Sequence, residues 1–310
     1  MICLSILSSC GTYQLTDTKQ KEKNISVLLS KMEDESKKKA KIPFNGVKDI
    51  NGKINVLIVG IDSRGENKSR SDAIMIAQYN PQNKKGKIVS IMRDSYLEIP
   101  GNDQHFNKIN NAYYFGGPEL LRQTIKHNFD IDVQHFIAID FQGFVKVVDI
   151  VAPEGVEVHV NQKIIDDMGL DVKPGLQKLH GKDLLAYARF RHDNLSDFGR
   201  VQRQQEVLSS LKNEFMNQIS SVNGVAKLPK IGEKLMQYVD TDMDIKTFVS
   251  LCGTVLFNQV KDVETMRIPV HMGYSDIKYP HAGQVLQLDI AKNKEAMKEF
   301  LVNKPTPVTK

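Results

Sequence analysis

The sequence predicts an α/β fold, a three-layer α/β/α sandwich around a mixed central β-sheet. Three observations carry that expectation. The run Ile54-Asn-Val-Leu-Ile-Val-Gly-Ile61 is nearly continuously apolar and rich in β-branched residues, as in a strand buried on both faces of a sheet. The strand-like runs 73–79 and 87–92 are separated by Asn80-Pro-Gln-Asn-Lys-Lys-Gly86, whose turn residues would join them as a hairpin, so the sheet is not purely parallel. Further along, helical and strand-like segments alternate, which places helices against the sheet.

Taken in order, strand 54–61 ends at Asp62-Ser63-Arg64-Gly65, and the hairpin 73–92 follows. Gly116-Gly117-Pro118 then opens a helix over 119–129, with Leu121, Ile125 and Phe129 at helical spacing and Pro118 suited to the first turn. His135-Phe-Ile-Ala-Ile-Asp140 reads as a strand and 141–151 as a helix. Later helices are expected at 180–189, 199–219, 229–239, 245–257 and 290–302, with strands near 263–270 and 285–288. Met236, Val249, Leu251, Val255 and Leu256 are expected to be core.

The chain has 310 residues, 41% hydrophobic and 25% charged, enough for one large or two ordinary domains and unlike a disordered or fibrous protein. The net charge of +5 is mild for this length and does not announce a nucleic-acid binder. Cys3, Cys10 and Cys252 are widely spaced without a CxxC or a His pair, which argues against a disulfide framework and a zinc site. The apolar start MICLSILSS is far shorter than the ~20 residues that span a bilayer, and no Lys or Arg precedes Lys19. Leu7-Ser8-Ser9-Cys10 is similar to a lipoprotein processing box in which Cys10 would be lipidated. Alternatively, residues 1–15 are the remnant of a transmembrane anchor, or simply a frayed terminus. Residues 16–43, including Lys37-Lys38-Lys39, read as a polar stalk, 44–303 as the folded domain, and 304–310 as a disordered tail stopped by its prolines.

Two carboxylates fall at strand ends, Asp62 after the first run and Asp72 before the second. Converging at a sheet edge near phosphate they would suit Mg²⁺, a hard cation with oxygen ligands; apart, each caps a strand or turn. Arg93, directly after the run 87–92, must reach either a carboxylate or an anion. The densest constellation runs from Tyr187 to Glu206. If Arg189-Phe190-Arg191 is extended, both guanidinium groups project to one side with Phe190 on the other. In the following helix Arg200, Arg203 and Gln204 share a face, while Val201, Leu208 and Leu211 line another that can bury. Several Arg forks with Asp197 at a helix N-terminus make a pyrophosphate or phosphate clamp. No GxSxG, Walker loop, GxGxxG or HExxH occurs, and His192 reads as an exposed loop residue.

Five blocks in order resemble the LytR–CpsA–Psr family of cell-envelope phosphotransferases: Gly60-Ile-Asp-Ser-Arg64; Arg70-Ser-Asp-Ala-Ile-Met75; Met92-Arg-Asp-Ser95; Lys108-Ile-Asn-Asn-Ala-Tyr113 with Gly116-Gly117-Pro118; and Tyr187-Ala-Arg-Phe-Arg191 with Asp197-Phe-Gly-Arg200 and Arg203-Gln-Gln205. The resemblance implies a membrane-anchored transferase on the outer face of the cytoplasmic membrane. It would move an anionic glycopolymer, wall teichoic acid or a capsule chain, from an undecaprenyl-pyrophosphate carrier to peptidoglycan through a phosphodiester. By position, Asp62 and Asp72 would hold Mg²⁺ (or Mn²⁺), and Arg93 would stabilise the transferring phosphoryl group. Arg64, Arg189, Arg191, Arg200 and Gln204 would bind the pyrophosphate, while Asp197 would orient these Arg side chains or assist the acceptor hydroxyl. An Arg-rich, His-poor site suits phosphoryl transfer, which depends on positioning and charge neutralisation. The family's apolar tunnel for the polyprenyl tail makes Phe136, Phe141, Phe144 and Val148 candidates for tunnel wall or for plain packing. Two other functions fit the same residues: a polyprenyl-pyrophosphate phosphohydrolase with water as acceptor, and a non-enzymatic envelope regulatory protein. Arg residues alternating with Asp, without a helix-turn-helix signal, argue against a nucleic-acid partner.

Overall fold

The structure, a computed structural model, describes residues 42–62, 69–101, 105–193, 196–219, 224–257, 260 and 263–302. The anchor at 1–15, most of the stalk, Cys10, Arg64 and the 304–310 tail lie outside the described residues. In chain order the strands are β1 (Ile54–Asp62), β2 (Arg70–Asn80), β3 (Lys85–Ile91), β4 (Ser95–Glu98), β5 (Phe106–Lys108), β6 (His135–Asp140), β7 (Val156–Val160), β8 (Gly175–Leu179), β9 (Asp240–Thr241), β10 (Val263–Ile268), β11 (Tyr274–Tyr279) and β12 (Gly283–Leu288). The described helices are α1 (Ile109–Phe129), α2 (Phe141–Val151), α3 (Gln162–Met168), α4 (Gly181–Arg189), α5 (Ser196–Ile219), α6 (Gly224–Met236), α7 (Ile245–Phe257) and α8 (Ile290–Val302).

The central sheet is mixed and six-stranded, in the order β10-β3-β2-β1-β6-β9. β1, β2 and β3 form an antiparallel meander, while β6 joins β1 and β10 joins β3 in parallel. A second sheet, β11-β12-β4-β5, is carried on the chain that leaves β3, and β7-β8 form a separate pair. On one face of the central sheet Leu57, Val59, Ile74, Ile76, Phe136 and Ala138 pack with Leu121, Ile125 and Phe129 of α1 and Met297 and Leu301 of α8. Helices α2, α5, α6 and α7 cover the other face, giving the expected three layers.

The hairpin and the long helices lie where periodicity placed them, with shifted ends. The helix expected at 119–129 is the second half of α1, which begins ten residues earlier and kinks at Gly116 and Gly117. Gly117 stands at φ 63°, where an L side chain is strained, and a Cβ on Gly116 would lie 2.6 Å from Leu120 Cβ. Pro118 can then restart the helix without losing a bonded N–H. The 229–239 helix is α6 at 224–236, followed by β9. β4 and β5, of four and three residues, are too short to stand out by alternation, and β7, β8 and β11 carry no continuous apolar run.

Candidate active site

The site starts with an irregularity in the β1–β2 ladder. Gly60 is opposite Ala73, but Ile61 is opposite Ser71, so Asp72 is an extra residue without a partner across the ladder. A bulge of this kind re-aims a side chain. Instead of pointing away from Ala73 as strand alternation requires, Asp72 lines the same cavity wall as Ala73. Gly60 allows the close approach, since a Cβ there would meet Ala73 Cβ at 3.1 Å.

Arg93 leaves the end of β3 and donates from Nη1 to Asp72 Oδ1 at 2.6 Å and from Nε to Asp94 Oδ2 at 3.3 Å. Lys108 Nζ sits 2.7 Å from Asp94 Oδ1. Of the two partners open to Arg93, carboxylate or anion, it therefore has carboxylates. Burial pulls its guanidinium pKa down, but the hydrogen bond and charge of Asp72, with Asp94 and Asp197 behind it, outweigh burial and raise it.

The end of α4 places Arg189 and Arg191 on either side of Phe190. Phe190 is 1% exposed in the core, while both Arg side chains line the cavities. The Arg189 guanidinium lies 4.2 Å from the Phe141 ring centre, a cation–π contact that fixes its direction. In the first turn of α5, Asp197 Oδ1 is 3.0 Å from Arg200 Nη2 and 3.6 Å from Arg191 Nη1. Arg200 is 4% exposed, and its buried Nε has no hydrogen-bond partner among the described residues. Burial first, then the charges of Arg93 and Arg191, push its pKa down to about 10 despite Asp197 and Asp72. This guanidinium remains charged at neutral pH in a place that disfavours its charge, and an anion at the mouth would relieve it.

Three residues here depart from the sequence reading. Arg203 does not share the working face with Arg200 and Gln204: it bonds Asp193 Oδ2 at 2.6 Å, donates to Phe190 O, and lies against the Phe190 ring. Val201 packs in the core, whereas Leu208 and Leu211 line a cavity. Asp197 lines neither the apolar nor the polar cavity at the site and touches it only through Arg191 and Arg200. Gln205 ties α5 to the sheet edge through Ser90 Oγ and Met266 O, both at 2.9 Å.

Two cavities meet at these residues, and a third joins one of them. An apolar one of about 290 Å³ lies between the sheet and α2, α4 and α5, and its mouth carries Asp72, Arg189, Arg191, Arg200 and Gln204. It shares Ile58, Ile137, Val147, Leu208, Leu211 and Phe248 with a second apolar cavity of about 380 Å³, which reaches Gly86 and Val260 at the far end of the sheet. On the other side of the mouth a polar cavity of about 610 Å³ is lined by Asp62, Asp72, Arg93, Arg189 and Arg191, among others. Of the tunnel candidates, Phe141 and Phe144 line the first apolar cavity, while Phe136 and Val148 are fully buried packing. Leu251 and Val255, expected as core, line the second cavity together with Cys252. Sequence reasoning missed this because a helix face lining an internal cavity has the same periodicity as one facing a packed core.

Among the described residues no three His, Cys, Asp or Glu side chains come together as a metal cage. Asp62 and Asp72 share one polar cavity, and Asp72 Oδ1 already accepts from Arg93. Two carboxylates with phosphate oxygens and water suit Mg²⁺, which keeps waters and is usually bound through one or two carboxylates plus substrate phosphates. No helix among the described residues is long and apolar enough to cross a membrane.

A mixed six-stranded α/β fold with an apolar cavity whose mouth is ringed by Arg defines the class: the chain belongs to the LytR_cpsA_psr family, whose model matches residues 17–299. Regulatory protein MsrR of Staphylococcus aureus is 42% identical over 258 residues, covering 83% of this chain and 77% of that protein. The polyisoprenyl-teichoic acid–peptidoglycan teichoic acid transferase TagU of Oceanobacillus iheyensis is 32% identical over 225 residues, 70% of this chain and 67% of the relative. Among solved structures, TagT bound to LI-WTA aligns with a TM-score of 0.65 at 28% identity, covering 80% of this chain and 89% of that one. TagT with bound octaprenyl pyrophosphate lipid aligns at 0.60 and 25% identity, covering 87% and 96%.

Proposed function

We propose that this chain transfers an anionic glycopolymer, wall teichoic acid before capsule, from an undecaprenyl-pyrophosphate carrier to peptidoglycan on the outer face of the cytoplasmic membrane. The observation that carries this reading is the junction at Asp72: an apolar cavity on one side, a polar cavity on the other, and Arg189 and Arg191 shared by both. An amphiphile with a long hydrocarbon tail and a diphosphate head matches that division. The relatives support it, since TagT binds such a lipid and TagU is named for such a transfer.

In the proposed reaction an acceptor hydroxyl oxygen attacks the phosphorus that bears the polymer. The bond from that phosphorus to the bridging oxygen breaks, and prenyl phosphate leaves with the bond's electron pair. The hydroxyl proton passes to solvent or to the departing phosphate. Arg200 and Arg191, steadied by Asp197, hold the diphosphate at the tunnel mouth, with Gln204 and Arg189 beside them. Arg93, fixed by Asp72 and Asp94, offers its remaining N–H groups to the transferring phosphoryl oxygens. Mg²⁺ bound by Asp62 and Asp72 would supply neutralisation of the diphosphate charge. Donors held in place by carboxylates need little reorganisation when charge develops.

The test is transfer of a synthetic polyprenyl-pyrophosphate-linked polymer to peptidoglycan oligosaccharide in vitro. Arg93→Ala should lower the rate by roughly 10²-fold or more while the unfolding transition stays cooperative. Undiminished transfer would remove Arg93 from the mechanism. Release of free phosphorylated polymer in the presence of acceptor, with no linked product, would favour the hydrolase. A wild-type protein that does neither would favour a regulatory role, the one named for MsrR.

A further inference from the structure

The polar cavity has a second wall that binding of the diphosphate leaves unused. It is built by Lys108, Asn110, Asn111 and Tyr114 around the start of α1 and by His281 and Ala282 in the turn between β11 and β12. Asn110 is 7% exposed, and its buried Oδ1 has no hydrogen-bond partner among the described residues. Asn111 donates from Nδ2 to Asn107 Oδ1 at 2.7 Å, which orients its amide. His281 is an exposed imidazole held by Tyr96, whose hydroxyl lies 3.0 Å from His281 Nε2.

Tyr96 belongs to an aromatic row across the outward face of the second sheet. Its ring stacks on Tyr279 at 4.7 Å and on Phe106 at 5.8 Å, and Phe106 is 40% exposed. Strand alternation sends Leu97 the other way, into the core with Leu286 and Leu288. Gly283, opposite Tyr279 in the ladder, has no side chain to obstruct the row. One wall thus combines aromatic surface, two amides that can donate and accept, an imidazole and an ammonium, a mixture that matches a ring with apolar C–H faces and a rim of hydroxyl and amide groups.

Direction of attack says which sugar belongs there. In-line displacement requires the attacking oxygen opposite the leaving oxygen. The leaving prenyl phosphate lies toward the apolar cavity, so the attacking hydroxyl must approach from the polar side. We propose that the wall formed by Asn110, Asn111, Tyr114 and His281, extended outward by Phe106, is a saccharide subsite that seats the amino-sugar ring of the acceptor glycan. This deepens the proposed function and rests on it.

The probe is a soluble uncrosslinked peptidoglycan oligosaccharide, titrated by calorimetry into the wild-type protein, His281→Ala, Phe106→Ala and Asn110→Ala; a prenyl pyrophosphate is titrated in parallel. His281→Ala and Asn110→Ala should each weaken glycan binding roughly fivefold to tenfold, the loss of one or two hydrogen bonds. Prenyl pyrophosphate affinity should change less than twofold. If Asn110→Ala does not fold, the two exposed positions, His281 and Phe106, carry the test. Absence of glycan binding by the wild type, or glycan affinity untouched by the variants, overturns the subsite. A fall in affinity for a polymer-bearing donor with no change for the glycan also overturns it, by giving the wall to the donor's sugars. Selective loss of glycan binding in a protein that performs no transfer upholds the subsite and removes the transferase reading instead.

Discussion

The two faces of the central sheet are made by the same strands and are packed in opposite ways. Leu57 is fully buried against α1 and α8, whereas its neighbour Ile58, in the middle of a central strand, is half-buried because it faces a cavity. The same contrast separates Phe136 and Ala138 from Ile137 and Ile139 on β6, and Ile74 and Ile76 from Ala73 and Ala77 on β2. Helices cover both faces, so both would ordinarily close on the sheet. Small residues prevent this on one side: Gly60, Ala73 and Ala77 leave space that α2 and α5 span without filling. An unfilled apolar wall forfeits dispersion contacts. A fold that keeps such a wall beside charged groups has the shape of a binding site for something apolar with an anionic end.

The sharpest way to break this comparison uses two phenylalanines. Phe136 stands in the packed face, its ring tilted against that of Phe44 with centres 4.9 Å apart, and Phe144 lines the cavity. Phe136→Ala should cost about 3–5 kcal/mol in chemical denaturation. Phe144→Ala should cost less than half of that, because part of its surface already lacks neighbours, and should weaken binding of a prenyl pyrophosphate severalfold. Equal costs at the two positions would mean that the cavity side closes in solution and is an ordinary core.

Adding volume tests the same difference from the other direction. Ala138→Phe forces a ring into a close-packed face and should destabilise by about 1–3 kcal/mol or more. Ala77→Phe enters a cavity of about 380 Å³ and should leave the melting transition nearly in place. It should lower affinity for long prenyl pyrophosphates more than for short ones, leaving inorganic pyrophosphate binding at the Arg mouth intact. Loss of affinity independent of chain length would place the lipid elsewhere.

The sequence makes some of this legible and hides the rest for physical reasons. The run 54–61 and the hairpin after it were readable because buried strands of β-branched residues leave a continuous apolar signal. Arg189 and Arg191 do line the cavities while Phe190 is buried, as expected, although Arg189 is the last residue of α4 and not extended. The re-aiming of Asp72 was not readable, since a bulge is a mismatch between two strands and appears in neither alone. Arg203 was misplaced because helical spacing puts it near Arg200 without revealing that Asp193, in the preceding loop, would capture it. His281 lies far beyond the Arg cluster in sequence, and the second sheet, of which only the strand near 285–288 was legible, brings it to the polar cavity. Cavity and core were indistinguishable for Leu251 and Val255, because periodicity reports which face is apolar but not what it meets.

The smallest expected effect concerns charge rather than volume, and again differs between the two sides. Behind the packed face, Glu119 accepts from Arg122 Nη2 at 2.6 Å, from the Asn45 backbone N–H at 2.8 Å and from Gln123 at 2.9 Å. Burial pushes the Glu119 carboxyl up, but these bonds outweigh it and hold its pKa down at about 2, against 4.5 in its ordinary state. A carboxylate depressed in the folded state contributes stability that is fully present above 4.5 and is lost as pH falls toward 2. Glu119→Gln should therefore lower stability at neutral pH modestly and flatten its decline across that acid window, as read from denaturation midpoints. At the cavity mouth the balance is reversed: burial, with the charges of Arg93 and Arg191, outweighs Asp197 and Asp72 and pushes the Arg200 pKa down, so an added anion, not a pH change near neutrality, should be what stabilises it. Inorganic pyrophosphate should raise the melting temperature of Glu119→Gln and of the wild type alike, and should raise that of Arg200→Ala less. An equal rise in all three would separate anion binding from the buried guanidinium.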